Sequence, residues 1–152
     1  MDKREAILGR LLELCAGLTG IVATARNALD VPGLARPGMV VQDGSEERLD
    51  SAQSDNRSGV TRVELNAQVW LLVRGGAADV GPLMNLFRAR LLYAITSDPT
   101  LRSLTGTVGG LRYDGCTVSE PTPETKEPRM DLNFTCVYTL AMSDLEAING
   151  LH

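Results

Sequence analysis

The residue types that carry most enzyme chemistry are few and widely separated in this chain. The one histidine is His152, so a serine or cysteine nucleophile within the fold would lack an imidazole base. The cysteines, Cys15, Cys116 and Cys136, form no C-x-x-C pair and lie in apolar or β-type patterns, which predicts reduced, buried thiols. We therefore expect no catalytic residue, no cofactor site and no metal site.

The glycine-rich and acidic runs also lack the spacing of ligand-binding loops. The run GTVGG at residues 106–110 is neither GxGxxG nor a P-loop, and no Lys-Ser or Lys-Thr pair follows it. The run DGSEE at residues 43–47 lacks the alternating carboxylates of a calcium loop. Both runs are typical of turns and solvated loops.

Length and composition favour one folded domain, residues 1–152. Apolar residues make up 43% of the chain and charged residues 22%, which is close to globular averages. The net charge of -4 argues against a free nucleic-acid binder, because phosphate contacts need clustered Lys and Arg. The sequence shows no signal-peptide pattern and no apolar run near the ~20 residues that span a bilayer, so we expect an intracellular protein with no membrane partner.

Two amphipathic patterns predict the main helices. Asp2 and Glu5 have capping-box spacing, and an apolar stripe follows them, which predicts a helix over residues 3–18. A second stripe predicts a helix over residues 79–96, and a short helical turn follows at 99–104.

Alternating patterns predict strands with one buried face. The clearest covers residues 60–74, a second covers 131–142, and shorter β-prone segments lie at 21–27 and 39–41. Asp114-Gly115 is a two-residue hairpin signal, which predicts two further strands on either side of it.

These elements predict an α+β fold in the order αβββαβββ. Strands with polar outer faces are typical of antiparallel sheets, so we expect an antiparallel (mixed) sheet with the two main helices packed on one face. The polar segments 44–58 and 120–128 are predicted to be mobile loops that order on contact with a partner.

Candidate interface residues follow from the long strand and its neighbours. Trp70 and Leu72 lie at positions of the strand that are otherwise polar, so they could form an exposed apolar anchor beside Arg74. The alternative is that another segment of the same subunit covers them. The full set of candidate interface residues is Trp70, Leu72, Arg74, Arg26, Glu46 and Glu47.

The order and texture of the chain resemble phage tail-terminator proteins, also called tail-completion or minor tail proteins. The resemblance covers roughly residues 3–142. It lies in the helix with REAILGRLLEL, the step GIVATARN, the run at Pro37–Glu46, the strand VELNAQVWLLV, the helix with LFRARLLYAI, SDPTLRSL before GGLRYDG, and the closing strand NFTCVYTL.

This resemblance implies a structural virion protein without catalysis. Such a protein forms a homo-oligomeric ring, a hexamer by resemblance, that caps the tail tube, stops its polymerisation and joins it to the head connector or stopper protein. DNA would pass through the lumen without sequence-specific binding. The protein would be found in the host cytoplasm during assembly and then in the virion, at the head-proximal end of the tail.

Two other interpretations stay open from the sequence. One is a different neck or tail structural protein, such as a stopper or a tube subunit. The other is a small α+β ligand-binding domain or enzyme, which a pocket with converging polar groups would favour.

Overall fold

The described part of the chain contains three helices and five strands. The computed structural model describes residues 2–28, 34–49, 60–106, 110–119 and 128–141. In chain order the elements are α1 (Lys3–Gly17), β1 (Ala23–Arg26), β2 (Gly38–Arg48), β3 (Val60–Leu72), α2 (Ala77–Thr96), α3 (Pro99–Thr105), β4 (Leu111–Ser119) and β5 (Arg129–Ala141).

The five strands form one mixed sheet in the order β1-β2-β3-β5-β4. β1 runs parallel to β2, and the other neighbouring pairs are antiparallel. The predicted α+β class with a mixed sheet is confirmed. The predicted element order is wrong, because the observed order is αβββααββ. The short turn after the second helix is a helix in its own right, α3, and the two strands predicted around Asp114-Gly115 are one strand, β4.

The predicted hairpin at Asp114-Gly115 is instead a β-bulge inside one strand. β4 runs continuously from Leu111 to Ser119 along β5, with a register shift between Tyr113 and Gly115. Gly115 has a φ of 111°, and bulges use this glycine conformation as tight turns do. The same dipeptide is therefore compatible with either structure.

The core lies on one face of the sheet. The predicted alternation of β3 and β5 is confirmed, since every second residue is buried there. These residues and buried residues of all three helices belong to one hydrophobic cluster. α1 contacts β1 and β2, α3 contacts β4 and β5, and α2 contacts α1. We expected two main helices on the sheet, and the structure has three helices that share one core. The core-facing strand residues of this cluster are Met39, Val41, Val63, Leu65, Ala67, Val69, Leu71, Met130, Leu132, Phe134, Cys136 and Tyr138.

The first helix begins where the capping pattern predicted. The Asp2 carboxylate accepts a hydrogen bond from the Arg4 backbone N–H at 3.0 Å, which satisfies one of the free donors at a helix N-terminus. Glu5 does not complete a capping box: its carboxylate binds the guanidinium of Arg26 on β1. The pair therefore links the first turn of α1 to the edge of the sheet.

β2 extends beyond the three residues predicted for it. It pairs with β3 as far as Arg48, with a bulge between Gln42 and Ser45. The candidate loop 44–58 therefore begins inside a strand, and its residues 50–58 lie outside the described residues. Most of the second candidate loop, residues 120–127, also lies outside them, so the mobility of both segments stays a prediction.

Candidate functional site

The sheet surface opposite the core is polar, and we call it the polar face. Because side chains alternate across a strand, even-numbered residues of β3 and odd-numbered residues of β5 point to this side. From Glu64 to Leu72 on β3, and along β5, these residues are partly or fully buried, which indicates that they pack against one another. The central members are Asn66, Gln68, Trp70, Asp131, Asn133 and Thr135.

One row of amide groups crosses the polar face, and we call it the amide row. Gln42, Gln68, Asn133 and Gly115 are register partners on β2, β3, β5 and β4. Trp70 Nε1 donates to Gln68 Oε1 at 3.2 Å, Gln68 Nε2 donates to Asn133 Oδ1 at 2.7 Å, and Asn133 Nδ2 approaches the Gly115 carbonyl at 3.4 Å. The hydrogen bonds all run in one direction, so each amide has a defined orientation.

A second row lies one register step away and carries a carboxylate. The Thr135 hydroxyl donates to Asp114, and it also lies 3.2 Å from Asn66 Oδ1. Arg112 Nε donates to Asp114 Oδ1 at 2.7 Å. Partial burial raises the pKa of Asp114, but the hydrogen bonds from Thr135 and Arg112 outweigh it and hold the pKa below its ordinary value. Asp114 therefore stays ionised at neutral pH.

Trp70 is covered on one side by a cation. The Arg129 guanidinium carbon lies 3.8 Å from the centre of the Trp70 ring, which is cation–π geometry. The same guanidinium donates two hydrogen bonds to Asp131, at 2.6 and 3.0 Å. The charge of Arg129 is therefore balanced where it stacks on the indole.

Between these rows the polar face forms a concavity of about 370 Å³. It lies between the bulges of β2 and β4, which bend the two strands on either side of the central pair. Gly44 is required in the first bulge, because its φ is 71° and a Cβ there would lie 1.6 Å from the Asn66 carbonyl oxygen. The polar side chains that line the concavity are Gln42, Ser45, Asn66, Gln68, Asp114 and Asn133.

The structure separates the predicted anchor residues. Trp70 is half-buried beneath Arg129, and Leu72 is only 6% exposed, which agrees with the alternative that it is covered within one subunit. Leu72 pairs with Gly38 at the end of β2, and the Leu34 side chain lies against Gly38. Arg74 is exposed and follows the end of β3.

The remaining predicted interface residues lie in other places. Arg26 is held by two carboxylates: its guanidinium binds Asp43 at 2.7 and 2.9 Å and Glu5 at 2.6 and 2.9 Å. These hydrogen bonds lower the pKa of both acids. Glu46 accepts a hydrogen bond from the buried Tyr138 hydroxyl. Glu47 is exposed near the end of β2, where it pairs with Glu64 of β3. The six candidates therefore do not form one patch.

Apart from Trp70 and the Asp114-Gly115 pair, the residues that the structure brings together on the polar face are not singled out by the sequence. The amide row depends on the register of four strands, and three of its members were known only as polar positions in alternating or loop-like segments. The recurrence of Asn and Gln at the polar positions of β3 was the available signal. Amides that bond across strands are common in sheet faces, but the partners are set by tertiary structure.

The described residues hold no group of three His, Cys, Asp or Glu side chains that could bind a metal ion. The thiols of Cys15 and Cys136 are buried, and burial raises the pKa of each to about 12. Cys116 is exposed, contrary to expectation, and it lies in the exposed half of the edge strand β4. His152 is outside the described residues.

No family model matches the chain, and no curated protein is significantly similar to it. Within the described residues, no helix is long and apolar enough to cross a membrane.

Proposed function

We propose that this protein is a structural component of a phage tail, a tail terminator whose subunits assemble into a closed ring. The ring, a hexamer, caps the tail tube, stops its polymerisation and presents a surface to the head connector or stopper protein. The proposal rests on the resemblance in element order and texture, together with one structural observation, the polar face.

The polar face supports a role in protein contacts. Helices bury the opposite face, whereas this face carries interlinked amides and ion pairs whose partners lie within the same sheet. Protein interfaces that form between folded subunits are about as polar as the rest of the surface and contain many hydrogen bonds. A polar face whose side chains are already hydrogen-bonded to one another has the polarity of such an interface. It also exposes no large apolar patch before assembly.

The sheet edges supply a second means of contact. Among the described residues, β1 and β4 are the two edge strands, and β4 has four consecutive exposed residues from Cys116 to Ser119. Edge strands present unpaired backbone groups that can pair with another chain. A contact between two different surfaces of identical subunits must close into a ring or grow without limit, and a cap requires closure.

The charge of the chain is compatible with DNA passing through the ring. A net charge of -4 disfavours tight phosphate binding, so a lumen formed by this protein would let DNA move without being held. This argument concerns transit and does not depend on any base-specific contact.

A small ligand-binding domain is the second candidate, and the concavity favours it. Its volume of about 370 Å³ lies within the range of small-molecule sites. Most of the side chains that line it are polar, however, whereas most small-molecule sites are lined mainly by hydrophobic and aromatic side chains. The terminator therefore remains the preferred function.

Deletion of the gene in its phage, followed by electron microscopy of the lysate, tests the proposal. A terminator deletion should leave filled or empty heads without tails and free tails of abnormal length. A deletion that yields normal particles, or heads with tails of normal length, would exclude the terminator function.

A further inference from the structure

The concavity of the polar face has hydrogen-bonding capacity that the fold does not use. Each side-chain amide has two N–H donors and two acceptor lone pairs. Gln68 and Asn133 each donate one side-chain N–H along the amide row, and the second N–H of each has no acceptor among the described residues. Asn66 Nδ2 has no acceptor among the described residues, and its Oδ1 faces Thr135. The site thus offers donors and acceptors together.

The charged side chains around the concavity are paired with side chains of opposite charge. Arg112 is paired with Asp114 at 2.7 Å, and Arg129 is paired with Asp131 at 2.6 Å. An anion would meet the Asp114 carboxylate, and a cation would have to displace an arginine. A ligand that carries no charge avoids both costs, because burying an unpaired charge is unfavourable.

The aromatic group beside the site is already occupied on one face. Arg129 stacks on Trp70 at 3.8 Å, so a sugar ring could not lie on that face of the indole. The length of the site is also informative. From Gln42 to Gly115 the amide row crosses three strand spacings of about 4.8 Å, roughly 14 Å in total, which equals about four residues of extended chain.

We propose that the concavity binds an uncharged, extended segment of another polypeptide, about four residues long, through hydrogen bonds from its side-chain amides to the main chain of that segment. Peptide groups both donate and accept, as the free groups of Asn66, Gln68 and Asn133 do. The proposal rests on the proposed ring, in which the segment belongs to a neighbouring subunit.

The direct test is an NMR titration of the purified protein with N-acetyl-Gly-Ser-Gly-Ser-amide, with glucose as the comparison ligand. The peptide should produce saturable shifts of the side-chain amide signals of Gln68 and Asn133, with a Kd on the order of 1 mM. Asn66→Ser and Asn66→Asp should each weaken binding about tenfold, as the loss of one or two hydrogen bonds predicts. The exposed Asn85 of α2 provides the matched control, and Asn85→Asp should leave the shifts unchanged.

Three outcomes would overturn the proposal. Shifts with glucose but not with the peptide would identify a sugar site, and the absence of shifts with either ligand would show that the concavity binds neither. Equal shifts in wild type and both Asn66 variants would place binding elsewhere. Ring assembly on tail tubes is scored separately by electron microscopy, so a protein that caps tails but does not bind the peptide removes this inference and leaves the proposed function intact.

Discussion

Arg10 of α1 donates two hydrogen bonds to Asp98, the N-cap residue of α3, with Nε–Oδ2 and Nη2–Oδ1 distances of 3.1 and 2.7 Å. Asp98 Oδ2 also accepts from the Leu101 backbone N–H at 2.9 Å. One buried carboxylate therefore both begins α3 and holds it against α1, which fixes two of the helices that cover the sheet.

Replacing this carboxylate should change how stability depends on pH. The hydrogen bonds from Arg10, reinforced by the Leu101 N–H, lower the pKa of Asp98 below its ordinary 3.8. A lowered folded-state pKa means that the stabilisation is complete above the unfolded pKa and is lost as pH falls through the folded pKa. Asp98→Asn should lower the unfolding free energy at pH 7 by about 1–2 kcal/mol, and the difference from wild type should shrink below about pH 4. Urea unfolding at a series of pH values measures this.

The matched control is Glu13→Gln, which removes the other carboxylate bonded to Arg10. Glu13 is 67% exposed at its side chain, so the change should alter stability by less than about 0.5 kcal/mol. Equal losses for the Asp98 and Glu13 variants, or a loss at Asp98 that does not vary with pH, would contradict the assigned role of the buried carboxylate.

The bulge in β2 should be intolerant of any side chain at position 44. Gly44→Ala would combine a φ of 71° with a Cβ 1.6 Å from a backbone oxygen, so the strand must shift and stability should fall by about 2 kcal/mol or more. Gly9→Ala, in the middle of α1 with nothing within 4 Å of the new Cβ, should raise stability by about 0.5–1 kcal/mol. Thermal unfolding of both variants tests the pair, and a neutral Gly44→Ala would show that the bulge is not rigid.

The sequence predicts the long strands well because their alternation records burial on one face. It does not predict the second half of β2, where residues 43–48 are polar and pass a glycine bulge, so they read as a loop. The hairpin predicted at Asp114-Gly115 is wrong for a related reason, because β-bulges and tight turns use the same residue types. Local sequence patterns identify which face of a strand is buried. They do not show that a strand continues to pair with its neighbour beyond a bulge.

The contacts of the polar face are harder to predict from the sequence than the strands are, because they join distant parts of the chain. Gln68 and Asn133 are 65 positions apart, and Thr135 and Asp114 are 21 apart. The pattern marks Trp70 as unusual for its position, but Arg129, which covers it, directly follows the predicted loop 120–128 and lies outside the alternating pattern at 131–142. These contact partners are set by the register between paired strands, and the sequence pattern does not determine that register.

The stacking of Arg129 on Trp70 should contribute measurably to stability. A double-mutant cycle with Trp70→Leu and Arg129→Gln should give a coupling energy of about 0.5–1 kcal/mol. Asp131 remains in the cycle in all four proteins, so its ion pair with Arg129 is lost equally with either residue at position 70. A coupling energy of zero would show that the arginine covers the indole without stabilising it.

The three thiols should differ sharply in reactivity. Cys116 is exposed, whereas Cys15 and Cys136 are buried with pKa values raised to about 12, and a buried protonated thiol reacts slowly. A maleimide reagent at neutral pH should therefore label one site in the native protein and all three in denaturant. Cys116→Ser should abolish native labelling, and rapid labelling of this variant would contradict the described burial of the other two.

The most direct measurement of the terminator function is the length of tail tubes polymerised in vitro with and without the purified protein. Tube subunits alone should grow to variable lengths, and added protein should halt growth and leave a ring at one end of each tube in electron micrographs. Mass photometry should show a cyclic oligomer on the tubes or in solution. Tubes that grow equally long with the protein present and end without added density would contradict the account and favour the small ligand-binding domain.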